Sequence, residues 1–204
     1  MLFYRKVIVW CLSLNNSNSK TAVFFSLGVR ELSLLSMMIA LCVVSRTFFQ
    51  FIVNVQPVTA ILLIITIYWG SYQGLLVSIF SILITNFYMG MGVWTIAQII
   101  TYSLIIFLTG VLKMSPAFKN SLLLQAIYAG ISGILFGFFI SAIQAPFFGI
   151  SAFLPYYLAG LPTDLMHGFG NIVFYLLLAP ILRRLLIQKL GEWRSSSQKQ
   201  NQKT

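Results

Sequence analysis

Between Arg46 and Lys113 the chain carries no aspartate, glutamate, lysine, arginine or histidine. A second stretch without charge runs from Asn120 to Thr163, and from there to Arg183 only Asp164 and His167 can carry one. About 20 consecutive, mostly apolar residues are enough to cross a bilayer as a helix. Composition agrees with that reading. Hydrophobic residues make up 59% and charged residues 8%, against roughly 45–50% and about 25% in soluble domains. The pattern predicts an all-α integral membrane protein.

Six spanning segments are expected, near Leu32–Val53, Pro57–Gly70, Gly74–Tyr88, Val93–Leu112, Asn120–Ile143 and Pro162–Leu190. The second is short enough to be re-entrant, or to begin earlier, at Phe51. Turn residues mark the breaks: "GSYQG" at 70–74, "MGMGV" at 89–93 and "KMSPAFKN" at 113–120. Residues 144–162, "QAPFFGISAFLPYYLAGLP", are broken by proline and glycine and read as a long apolar connection, either a lid or an interfacial segment. Tyr156, Tyr157 and Trp94 suit an aromatic belt at the membrane surface.

Basic residues set the orientation. With six spans and both termini inside, every one of the 13 lysines and arginines except Arg46 falls on the cytoplasmic side. The net charge of +10 therefore marks topology and not nucleic-acid binding. Residues 1–28 are expected to be a cytoplasmic tail, 29–190 the membrane domain and 191–204 a basic cytoplasmic tail. Cys11 and Cys42 lie far apart and suggest neither a disulfide nor a metal site.

The sole histidine, His167, sits with Asp164 and Asn171 at spacings i, i+3 and i+7, on one helical face at the outer end of the last segment. Ionisable groups inside membrane segments usually mark a polar cavity or pathway. Asp164 also has an ordinary reading as a helix N-cap following Pro162, and His167 as a structural residue bonded within the bundle. Arg46, at the outer end of the first segment, either pairs with Asp164 or snorkels to headgroups. Trp94, Gln98 and Tyr102 recur every four residues on the fourth segment. With Asn86 and Tyr88 nearby, they describe the aromatic and polar lining of a small-molecule pocket. Ala129, Gly133, Gly137 and Ser141 form a small-residue stripe that suits close packing inside the bundle.

Catalytic signatures are missing. Glu31 and Glu192 lie at cytoplasmic ends, away from Asp164, so no carboxylate pair is built. No second histidine or suitable cysteine joins His167 for a metal, no serine sits in a nucleophile context, and no phosphate-binding loop is present. The chain is expected not to be an enzyme and to hold no cofactor of its own.

Three stretches resemble the substrate-binding S components of energy-coupling factor (ECF) vitamin transporters: "SMMIALCVVSR" in the first segment, "NFYMGMGVWTIAQ" at 86–98 and "YYLAGLPTDLMHGFGN" at 156–171. The resemblance covers about residues 30–190. It implies that Ser36, Ala40 and Val44 form the face that docks on a transmembrane coupling subunit, although Ser36 and Val44 depart from the alanine usual there. It also implies capture of a vitamin from outside the cell, near the outer ends of the last three segments. Delivery inward would use two cytosolic ATPases that consume the ATP. Cobalamin or a related precursor is the expected ligand, and the plasma membrane the expected location. The alternative is a stand-alone, gradient-driven carrier with Asp164 and His167 as a proton relay.

Overall fold

In the computed structural model, residues 28–52 and 54–201 are described. They form helices α1 (Val29–Phe48), α2 (Val58–Tyr68), α3 (Ser71–Met89), α4 (Val93–Leu112), α5 (Pro116–Asn120), α6 (Leu122–Phe147) and α7 (Phe153–Asn201), with no strand among the described residues. Five of these helices are long and apolar enough to cross a membrane: α1, α3, α4, α6 and the Phe153–Gly191 part of α7. The protein is thus membrane-embedded and multi-pass. The expected sixth span is α2, with eleven residues. At about 16 Å it reaches only about half of a ~30 Å hydrocarbon core.

The chain divides into two compact units, residues 1–37 and 38–204. In the first, the described residues are the beginning of α1, where Ser36 Oγ donates to the Leu32 carbonyl at 2.9 Å. The second unit contains the rest of α1 and the bundle. Its centre is α2, which packs against α3, α4, α6 and α7 and is buried at every position from Val58 to Ile67. Its sequence, "VTAILLIITIY", is apolar on all faces, and a helix of that kind is stable only when surrounded. The bundle's outer surface is also apolar. Phe107, Ile131, Phe169 and Leu177 are exposed, which suits lipid where water would drive aggregation.

Helices α6 and α7 make the closest pair. A Cβ on Gly133 would lie 2.6 Å from the Gly168 Cα, and one on Gly137 would fall into the Asp164 carboxyl group. The small-residue stripe thus acts as expected, letting two backbones approach.

Several expected boundaries shift. The connection at 144–162 is mostly helical: α6 runs on to Phe147 and α7 begins at Phe153, so only 148–152 link them. No long lid exists. Pro155 falls in the first turn of α7, where its missing N–H has no intrahelical partner to lose, and Pro162 is carried inside the helix. Asp164 consequently lies well within α7 and is not its N-cap. Of "GSYQG", only Gly70 interrupts the helices, since α3 starts at Ser71. The 113–120 loop contains the short α5. At the far end α7 continues to Asn201, past the boundary expected at 190. The expected N-terminal tail falls almost wholly outside the described residues, as does Cys11; Cys42 is buried and free.

Candidate functional site

Two polar clusters lie at opposite ends of α2. The first is built around the inward face of α7. Asp164, His167 and Asn171 are all buried, as their shared helical face predicts. His167 Nε2 is 3.0 Å from Thr59 Oγ1, and the same hydroxyl is 3.3 Å from the Tyr102 hydroxyl. The Phe136 ring touches both neighbours, with centroids 5.1 Å from His167 and 4.8 Å from Tyr102. Asn171 is 0% exposed, and neither atom of its amide has a hydrogen-bond partner; His167 Nδ1 is equally buried and unpartnered. An unmade hydrogen bond on a buried polar group costs about 1–3 kcal/mol.

Arg46 anchors the rest of this end. Its Nη1 donates to Thr85 Oγ1 at 2.7 Å and its Nη2 to Gln98 Oε1 at 3.3 Å. Gln98 Oε1 also accepts from Asn86 Nδ2 at 2.9 Å, and Asn86 Nδ2 donates to Thr95 Oγ1 at 2.9 Å. Thr47 and Tyr88 share a hydrogen bond through their hydroxyls. Arg46 is half-buried and turned onto α3 and α4. It neither snorkels nor pairs with Asp164. Asp164 packs on Gly137 and takes no part in either set of hydrogen bonds, the one joining Arg46, Thr85, Gln98, Asn86 and Thr95 or the one joining Tyr102, Thr59 and His167.

Most of the residues expected at the site come together here: Arg46, Asn86, Gln98, Tyr102, His167 and Asn171. Trp94 does not join them. Its side chain is exposed, covers Gly92 and donates Nε1 to the Gly90 carbonyl at 3.2 Å. Ser36, Ala40 and Val44 are exposed along α1. Thr59, Thr85, Thr95 and Phe136 escaped sequence reasoning. Thr59 did leave a trace: with Thr66 it is one of two hydroxyls on one face of a helix otherwise made of hydrocarbon and a terminal tyrosine.

The second cluster centres on Gln125 of α6. Its Oε1 accepts from the Tyr68 hydroxyl at 3.0 Å and the Tyr175 hydroxyl at 2.8 Å, and its Nε2 donates to the Phe118 and Lys119 carbonyls, each at 2.9 Å. The Arg183 guanidinium lies over the Tyr68 ring, 5.4 Å from its centroid. Lys113 Nζ donates to the Thr66 carbonyl at 2.9 Å. Burial, then the charge of Lys119, holds the Lys113 ammonium below the usual lysine range. Thr59 and Tyr68 are nine residues apart on α2, so about 14 Å of helix separates the two clusters.

The chain matches no protein-family model, no curated protein and no solved structure. The likeness to ECF S components therefore rests on the sequence stretches alone.

Proposed function

We propose that this protein captures a small micronutrient within the membrane as the S component of an ECF-type vitamin importer. In this reading it sits in the plasma membrane with both termini inside and the His167–Asn171 end facing out. The observation that carries the proposal is the Asn171 amide, fully buried with both of its polar atoms unmatched. A group left so in an apolar bundle has an incentive to meet a ligand that supplies a donor and an acceptor. One turn away on α7, His167 meets the Phe136 ring, which in turn packs on Tyr102, and these rings provide apolar and aromatic contact. The protein works by binding, not by covalent chemistry, and draws its energy from ATPase partners. Ser36, Ala40 and Val44, small or medium-sized and exposed on α1, form the face for the coupling subunit.

The test is a mild-detergent pull-down of the tagged chain from its own host, with mass spectrometry of proteins and small molecules. A transmembrane partner, two ATPases and a bound vitamin-like compound are expected. Recovery of the chain alone and empty would sink the importer reading and move attention to gradient-driven transport. His167 and Asp164 share no direct hydrogen bond, which gives the proton relay no support as the structure stands.

A further inference from the structure

Among the described residues, Arg46 is a cation without a counter-charge. A guanidinium has five N–H donors, and the hydrogen bonds of Arg46 go to two neutral acceptors, Thr85 Oγ1 and Gln98 Oε1. The chain has three acids. Glu31 belongs to the first compact unit of the chain and Arg46 to the second. Asp164 packs on Gly137. A half-buried charge is stabilised by a partner of opposite sign more than by neutral dipoles, and among the described residues no carboxylate bonds to Arg46.

The fork is also held in place. Gln98 Oε1 is fixed by Asn86, and Asn86 by Thr95, so the guanidinium orientation is set before anything binds. Tyr102 stands one turn beyond Gln98 on α4. Tyr102 leads through Thr59 to His167, and His167 is one turn from Asn171.

We propose that Arg46 anchors an oxyanion, a carboxylate or phosphate group, carried by the ligand whose neutral polar end meets Asn171. This rests on the capture reading and narrows its substrate class to anionic solutes. A planar fork with unused donors suits bidentate contact with such a group. A lipid headgroup phosphate offers the same chemistry. The inward turn of Arg46 onto α3 and α4 favours a solute over a headgroup.

The experiment uses the full chain in phosphatidylcholine nanodiscs. Thermal unfolding is followed while sodium acetate or sodium phosphate replaces sodium chloride at equal ionic strength. Both anions should stabilise the wild-type protein. Arg46→Gln should weaken the apparent anion affinity about tenfold or more. Arg46→Lys, which keeps the charge but loses the fork, should fall between them and serves if Arg46→Gln does not fold. No response of the wild type to either anion, or an undiminished response in Arg46→Gln, overturns the proposal. Stabilisation seen only in phosphatidylglycerol nanodiscs, and lost in Arg46→Gln, overturns the solute assignment and makes this a headgroup site. The partner pull-down separates this from the broader reading. An anion response without ATPase partners defeats the importer but not the anchor, and partners recovered with a chain indifferent to anions do the reverse.

Discussion

Gln125 and Asn171 are both primary amides buried in the same bundle, yet one makes four hydrogen bonds and the other none. Gln125 ties together α2, α6, α7 and the chain around α5, at the end rich in basic residues. Every lone pair and proton it offers is used, so nothing is left for a ligand. Asn171, one turn from Tyr175 on the same helix, offers everything and receives nothing. Saturated polar groups inside an apolar bundle fix geometry; unsaturated ones hold binding capacity at a cost in stability. The two ends of α2 divide these roles.

The largest test of the contrast is Gln125→Leu. It strands two phenols and two carbonyls, and a loss of about 3 kcal/mol or more is expected in unfolding from detergent micelles. A loss under about 1 kcal/mol would mean that the cluster is not the clamp described. Next comes Gly133→Val, which forces a side chain against the α7 backbone at Gly168. It should cost about 1–3 kcal/mol and also impair ligand retention, because α7 carries His167 and Asn171. Loss of stability with retention intact would separate the packing seam from the site. The smallest effect has the opposite sign. Asn171→Leu removes an unmatched amide and should stabilise the empty protein by about 1–2 kcal/mol while abolishing capture of whatever small molecule co-purifies with the wild type. Destabilisation would show that the amide already has a structural role.

Much of this division was legible in the sequence. The inward face of α7 followed from the spacing of Asp164, His167 and Asn171, and a close-packed face of α6 from small residues four apart, though not which helix it meets. Asn86 and Gln98 stood out as amides in apolar helices. The partners of Arg46 were not legible, because nothing local distinguishes an arginine that turns inward from one that reaches for headgroups. Asp164 was ambiguous for a related reason. Pro162 is an ordinary first-turn residue and also a tolerated interior one, and only the packing of Phe153–Leu161 decides between them. That packing shows in the rings: Phe153 stacks on Tyr157 with centroids 6.0 Å apart, and Tyr157 meets Phe138 of α6 edge-on at 5.6 Å. Gln125 passed unnoticed because a single glutamine in "LLLQAIYAG" carries no spacing signal; its partners come from distant parts of the chain.

The length of α7 has a mechanical consequence. Its 49 residues form a rod about 74 Å long, pressed most tightly against α6 where Gly168 meets Gly133. Yet it is held at several points along its bundle length: Tyr157 meets Phe138 of α6 near one end, Tyr175 bonds Gln125 midway, and Arg183 lies over the Tyr68 ring of α2 further on. A rod fixed at several points along one side cannot pivot about any one of them, so a push at the Phe153 end travels down its axis or is taken up as bending at Pro162 and Pro180. His167 and Asn171 sit between the outermost of these grips and would shift with the helix as a whole.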